Sequence, residues 1–285
     1  MFKVDFHCHT TSSDGTLTPF EIIDLAVKHE VKVLAITDHD TTAGYEQVIE
    51  YAAKKNVQLI TGVEISCHWL THTIHIVALD FSIDDSQLQQ GLKSIRQARL
   101  ERAQLMLENF QSKSPEKFIG FDAELWELVG DGVVGRGHFA QLLTKKGLAK
   151  NGAQAFKKYI KKGKAGYVTS DWPELAQVVN WIIHAGGVAV IAHPNVYRLT
   201  SNKLNRLIND FKEAGGQAIE VVNQPRHCSD IVGMADRAER HGLYASLGSD
   251  FHSPEHTWRG LGWLAPLPQK VSPVWKLFKT PLNSD

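Results

Sequence analysis

The sequence predicts an α/β fold: a parallel barrel of seven strands and intervening helices, closed or nearly closed, interrupted by an all-helical insertion. Three observations predict it. Short β-branched runs alternate with helical patterns along most of the 285 residues, the alternation stops between about residues 85 and 167, and six of the seven strand runs deliver a histidine or an acid.

The expected strands are Phe2–Phe6, Val31–Thr37, Val57–Val63, Thr73–Leu79, Val188–Ala192, Ala218–Val222 and Leu243–Leu247. The first helix has a well-marked start, because Thr18 and Glu21 are spaced as a capping box with Pro19 at the first helical position. Ile22, Ile23, Ala26 and Val27 then form one apolar face. Further helices are expected at Ala43–Lys55, Pro173–Ala185, Lys203–Ala214 and Ser229–His241, with Gly186, Gly187, Gly215, Gly216 and Gly242 suited to their C-terminal ends.

In the interruption only helical patterns appear, at Ser86–Phe110, Asp122–Val129, His138–Lys146 and Ala153–Lys162. The organisation expected is a barrel over residues 1–98 and 167–285 around a helical insertion at 99–166. The whole chain has 31 Lys and Arg against 31 Asp and Glu. That balance hides an asymmetry, since residues 93–164 hold 15 basic and 7 acidic side chains, a net +8, leaving −8 elsewhere. The insertion is therefore a candidate surface for a polyanion.

With 43% hydrophobic residues the chain can bury a substantial core. The start, MFKVDFHCHTT, lacks the basic and apolar regions of a signal peptide, and no uninterrupted apolar run reaches membrane-spanning length. Cys8, Cys67 and Cys228 have no CxxC spacing, so neither a disulfide framework nor a zinc ribbon is indicated. A cytoplasmic protein with no membrane contact and no obligate protein partner is expected.

Residues two apart on a strand share a face, so His7 and His9 present two imidazoles to one side. His39 follows the second strand run, Glu64 the third, His193 the fifth, and Asp250 with His252 the seventh, while His75 lies in the fourth. In a (β/α) barrel the C-terminal strand ends converge on one face, which brings these residues together. Imidazole and carboxylate without thiolate suit manganese, zinc or iron, and the number of groups implies two or three divalent ions. Affinity order favours zinc and availability favours manganese, and the sequence does not choose between them. His29 and His241 sit near helix ends, and His68, His72, His184, His227 and His256 have no strand-end logic, so none of these is assigned to the site.

Such clusters are usually hydrolytic, and the basic insertion favours phosphoryl over carbonyl substrates. Within it, Gly135-Arg136-Gly137-His138 places a guanidinium just before a helix, where it could fork onto phosphate oxygens.

The strings DFHCHTTSSDGTLTP, AITDHDT, GVEIS, HIV, AVIAHP and GSDFH resemble the polymerase and histidinol phosphatase (PHP) family of phosphoesterases. The resemblance implies a distorted (β/α)7 barrel with up to three metals. It implies one ion on His7, His9, Glu64 and Asp250, a second on Glu64, His75 and His193, and a third on Asp14, His39 and His252. GRGHFA, FKKYIKKGKAGYV, VVNQPRHCSD and ASLGSDFHSP resemble the branch that hydrolyses 3′,5′-bisphosphonucleotides and trims RNA from its 5′ end. The expected substrates are therefore 3′,5′-bisphosphonucleotides and short 5′-phosphorylated RNA, with DNA open.

Arg136 and the ligand His193 are the expected catalytic residues, and Arg136, His138, Lys164, Tyr167 and Asn223 the expected substrate contacts. Two rivals remain at this point. One is a phosphatase of small metabolites such as histidinol phosphate; the other is a nucleic-acid-binding module with a vestigial metal pocket, which would bind RNA with steep salt dependence and release no product.

Overall fold

The structure, a computed structural model, describes residues 3–226, 228–255 and 259–283. Phe2 of the first expected strand, and His227 and His256, lie outside the described residues. The chain forms two compact units, Met1–Lys93 with Trp172–Asp285, and Ser94–Asp171.

In chain order the elements are β1 (Lys3–Cys8), α1 (Pro19–Lys28), β2 (Val31–Ile36), α2 (Ala43–Lys54), β3 (Gln58–Leu59), β4 (Gly62–Trp69) and β5 (His72–Leu79). Next come α3 (Ser86–Lys113), α4 (Phe121–Val129), α5 (Arg136–Lys145) and α6 (Gly152–Ala155). The chain then runs through α7 (Leu175–His184), β6 (Val188–Ile191), α8 (Ser201–Glu213), β7 (Ala218–Val222), α9 (Ser229–His241) and β8 (Tyr244–Leu247). Among the described residues no helix is long and apolar enough to cross a membrane.

The capping box forms as the spacing predicts: Thr18 Oγ1 accepts the Glu21 N–H, and Glu21 Oε2 accepts the Thr18 N–H at 2.7 Å. Pro19, Ile22, Ile23 and Ala26 are the buried face of α1. They join Leu34, Ile36, Val48, Ala52 and Phe251 in one core.

The fold is mixed α/β, but the strands depart from the expected set of seven parallel ones. Among the described residues there are two sheets, ordered β1-β2-β3 and β4-β5-β6-β7-β8. The run expected as one strand, Val57–Val63, divides into β3 and β4, and β4 continues to Trp69. β4 and β6 both pair antiparallel with β5, while β1-β2, β2-β3, β6-β7 and β7-β8 are parallel. The cause is a two-residue turn, Leu70-Thr71, that folds β5 back on β4 and uses Leu70 at φ 54°. A branched residue in that conformation gives no turn signal in sequence, where Asn-Gly would have. The sheets are linked by backbone hydrogen bonds at two places: Asp250 N to His7 O (2.8 Å) with His9 N to Phe251 O (2.9 Å), and Asp40 N to Glu64 O (2.9 Å).

The Ser94–Asp171 unit is helical among its described residues and has its own core. Phe110 stacks on Phe118 with ring centroids 4.7 Å apart and meets Phe121 edge-on. Leu125, Phe139, Leu142 and Leu143 complete the contact, and aromatic burial of this density is what lets so short a segment hold a shape. The last expected helix, Ala153–Lys162, is in fact α6 followed by a π turn at Phe156–Ile160.

Candidate metal centre

Nine side chains converge in the Met1–Lys93 and Trp172–Asp285 unit. His9, Asp14, His39 and His252 form one group whose ligand atoms all lie within 4.8 Å of one another; His7, Glu64 and His193 form a second, His7, His9 and Asp250 a third, and His39, Glu64 and His75 a fourth. All nine metal positions expected from sequence are thus brought together. The grouping differs in detail from the one the resemblance implies, because His9 stands beside Asp14, and His39 shares Glu64 with His75.

The routes to the site are of two kinds. His7 and His9 come off the end of β1, His39 follows β2, His193 follows β6, and Asp250 and His252 follow β8, as strand-end convergence predicts. Glu64 and His75 arrive differently, from inside the β4-β5 hairpin, where Glu64 stands opposite Val77 and His75 opposite Ser66.

The separations within the cluster test whether ions fit. At metal–ligand bonds of about 2.0–2.2 Å, two ligands of one ion lie about 3–3.5 Å apart. His7 Nε2 to His9 Nε2 is 3.2 Å, His9 Nε2 to Glu64 Oε2 3.3 Å, His9 Nε2 to Asp250 Oδ1 3.5 Å and His252 Nε2 to Asp14 Oδ1 3.3 Å. Glu64 Oε2 and His39 Nδ1 are buried and face each other at 3.0 Å without hydrogen-bond geometry, a spacing at which one cation would take both as ligands. The residues present fit divalent ions.

The electrostatics agree. Burial opposes the charge on Glu64, but the imidazoles of His75, His39 and His7 hold its carboxyl well below the usual range. Burial works likewise against Asp14 and Asp250, and their histidine neighbours hold both well down. Burial would lower His252, yet Asp14 and Asp250 push it up to about 9; Glu220 and Glu64 likewise overcome burial to raise His7. For His39 burial wins and the value falls to about 4. Three carboxylates ionised at any working pH are ready oxygen donors.

Several residues that sequence reasoning missed support this cluster. Glu220, buried on β7, lies 2.5 Å from His7 Nδ1 through Oε1 and accepts the His193 N–H through Oε2 at 2.5 Å. Asp38 accepts from Thr10 N (2.8 Å) and Ser13 Oγ (2.6 Å), and Asp5 accepts from Ser249 N (2.9 Å) and Gly262 N (2.8 Å). These fix the loops after β1 and β8. Arg259 donates to the Asp250 carboxylate. Glu220 and Asp5 carried a readable signal, an acid within an apolar strand run, since an acid there is kept only with partners.

Backbone strain also collects here. His193 and Asp250 have φ of 28° and 51°, conformations unusual for residues with a Cβ and concentrated at functional sites. Gly248 passes so close to β1 that an added Cβ would lie 2.2 Å from the His7 Cβ and 2.9 Å from its backbone nitrogen.

The other expected residues are placed as follows. Arg136 opens α5, two residues earlier than the helix expected from sequence, because the extended Gly135 caps it and His138 Nδ1 accepts the Gly135 N–H at 3.1 Å. His138 is buried in that capping role. Lys164 is exposed and Tyr167 half-buried, joined by the Tyr167 N to Lys164 O bond of 3.1 Å. Asn223 follows β7 and is half-buried. Sequence reasoning passed over Arg99 and Arg102, buried in the Ser94–Asp171 unit, where Arg99 Nη1 donates to Val134 O (3.4 Å) and Arg102 Nη1 to Ser170 Oγ (2.8 Å).

Known proteins resemble this chain over nearly its full length. The 3′,5′-nucleoside bisphosphate phosphatase of Chromobacterium violaceum is 41% identical over 276 residues, covering 97% of this chain and 96% of its own. The 5′-3′ exoribonuclease Rnm of Escherichia coli is 41% identical over 283 residues, covering 98% and 95%. A solved structure described as an amidohydrolase from Chromobacterium violaceum, with bound sulfate and no metal, superposes with a TM-score of 0.89 at 40% identity, covering 96% of this chain and 95% of that one. A family model described as PHP domain matches residues 5–169, a span that holds six of the nine clustered groups, and the chain belongs to the PHP domain family.

Proposed function

We propose that the protein is a metal-dependent phosphoesterase that removes the 3′-phosphate of 3′,5′-bisphosphonucleotides and releases 5′-mononucleotides one at a time from the 5′ end of short 5′-phosphorylated RNA. The observation that carries this reading is the convergence of nine imidazole and carboxylate groups around Glu64. The two relatives at equal identity supply the two substrate classes.

His7, His9, Glu64 and Asp250 would hold one ion, Glu64, His75 and His193 a second, and Asp14, His39 and His252 a third, with manganese the expected metal and zinc or iron the alternatives. When bound, such ions activate water at neutral pH and offset charge on the phosphoryl oxygens. The chain's own residues do the rest. Glu220 holds the His7 ring by Nδ1 and so turns its Nε2 towards the cluster. Arg136, at the first turn of a ten-residue helix, binds the 5′-phosphate together with the helix N–H groups. His138 caps that helix, while Arg99, Arg102 and Lys164 add positive charge in the same unit. Tyr167 in that unit and Asn223 in the unit of the cluster are each assigned as substrate contacts. This assigns to the Ser94–Asp171 unit the part of an inserted substrate-binding domain, and to the two sheets that of halves of one distorted barrel, supported by their hydrogen-bond links.

At the cluster the oxygen of water joins phosphorus, the P–O3′ bond breaks, and O3′ leaves with a proton. A bisphosphonucleotide gives a 5′-mononucleotide and phosphate. RNA gives a 5′-mononucleotide and a chain one residue shorter with a new 5′-phosphate, ready for the next cycle. A cytoplasmic location completes the reading, in keeping with three free thiols.

The test is to incubate metal-loaded protein with adenosine 3′,5′-bisphosphate, 5′-phosphorylated RNA, 5′-hydroxyl RNA and histidinol phosphate. Release from the first two, with slower use of 5′-hydroxyl RNA, is expected. Activity on histidinol phosphate alone would make the protein a small-metabolite phosphatase instead.

A further inference from the structure

The cluster's own unit carries a pocket beside the nine clustered groups that is lined in part by cationic side chains. A cavity of about 320 Å³ is lined by Asn223, Gln224, Pro225, Arg226 and Arg259. Asn223 to Arg226 follow β7 directly, and Ala265 N donates to Gln224 O at 3.0 Å, which ties that strip down. Arg259 comes from a separate segment, and its Nη1 donates to both the backbone oxygen and the carboxylate of Asp250. The pocket is therefore one hydrogen bond away from the nine clustered groups.

None of the five lining residues is acidic; the Arg226 guanidinium lines the space together with that of Arg259, one nitrogen of which is held by Asp250, while the Gln224 side-chain nitrogen donates to Cys228 Sγ. That is the chemistry of a site for a phosphate oxygen. Under the reading given above, a bisphosphonucleotide has two phosphates, the 5′-phosphate and the one hydrolysed at the cluster. An RNA chain has a third, the phosphodiester just beyond the scissile bond.

We propose that Arg226 and Arg259 bind the first phosphodiester of the leaving RNA chain, with Arg226 its principal contact, so that this pocket sets the preference for RNA over bisphosphonucleotides. The inference rests on the phosphoesterase reading. Arg226 is exposed and reaches the chain from the solvent side, while Arg259 is half-buried and held by Asp250.

The experiment measures kcat/KM of the metal-loaded wild type, Arg226→Ala and Arg226→Lys on adenosine 3′,5′-bisphosphate and on a 5′-phosphorylated oligoribonucleotide. A second oligonucleotide carries a neutral methylphosphonate at the linkage beyond the scissile one. A hydrogen bond to a charged group corresponds to a factor of about ten or more. The ratio of RNA to bisphosphonucleotide turnover should fall by that factor in Arg226→Ala and recover in part in Arg226→Lys. The neutral linkage should cost the wild type a similar factor and cost Arg226→Ala little more, because the two losses are of one contact. An unchanged ratio in Arg226→Ala, or a loss shared equally by both substrates, would overturn the assignment while leaving the phosphoesterase reading standing. A wild type that hydrolyses neither substrate would overturn both.

Discussion

Glu220 Oε1 lies 2.5 Å from His7 Nδ1, and the other oxygen of the same carboxylate accepts the backbone N–H of His193. One buried side chain thus sets the ring of one cluster histidine and the main chain of another. Orienting partners of this kind typically change metal affinity 10–100-fold. Glu220→Gln should weaken metal binding by about that factor while the protein stays folded, read by competition with a chelator. Unaltered affinity would reduce Glu220 to a packing role.

Glu64 reaches several histidines of the cluster, with Oε1 2.7 Å from His193 Nε2 and 3.0 Å from His75 Nδ1, and Oε2 3.0 Å from His39 Nδ1. Glu64→Gln should lose more than one ion per chain, whereas His75→Ala, at the edge of the cluster, should lose at most one. Metal stabilisation of transition-state charge amounts to several kcal/mol, so phosphate release in Glu64→Gln should fall at least ~10³-fold.

His252 is raised to about 9 by Asp14 and Asp250 against burial, and His7 and His193 are raised by Glu220 and Glu64 against the same opposition. In the metal-free protein His252 holds a proton at neutral pH, and binding an ion there must release it. Metal affinity should therefore climb with pH until about 9. Calorimetric titration in buffers of different ionisation enthalpy should show net proton release at pH 7, and a heat independent of buffer would contradict it. For the metal-free protein the sign is opposite: a folded pKa above the unfolded value near 6.5 gives stability that is complete below 6.5 and is lost as pH rises through about 9.

Gly248 leaves no room for a side chain, since a Cβ would meet the His7 Cβ and backbone nitrogen. Gly248→Ala should lower the melting temperature and weaken metal binding together, because β8's end and His7 have to part. A variant that melts as the wild type and binds metal normally would show that the contact is easily relieved.

Phe110 is fully buried among Phe118, Phe121, Phe139 and Tyr159. Phe110→Ala should cost about 3–5 kcal/mol in that unit's stability, visible as loss of hydrogen-exchange protection in residues 94–171.

Much of this molecule was legible in its sequence. His7 and His9 share a strand face, and His39, His193, Asp250 and His252 follow strands, so period-two alternation and βα order were enough to collect them. Glu64 and His75 were named correctly as clustered groups but on the wrong geometry. They reach the site through an antiparallel hairpin whose Leu70-Thr71 turn lacks the glycine or asparagine that would announce it. Glu220, Asp5 and Asp38 were missed because each contributes through hydrogen bonds to residues distant in sequence, which spacing does not encode. His138 was expected as a phosphate contact beside Arg136, and the capping of α5 by its Nδ1 was not foreseen, because that role is usually filled at this position by Glu or Gln.

The most direct test is to load metal-free protein stepwise with a divalent ion, counting ions per chain by elemental analysis as hydrolysis of adenosine 3′,5′-bisphosphate is followed. Two or three ions should bind per chain, with activity reaching its full value only after the second. Full activity with less than one ion per chain would contradict the polynuclear centre on which the functional reading stands.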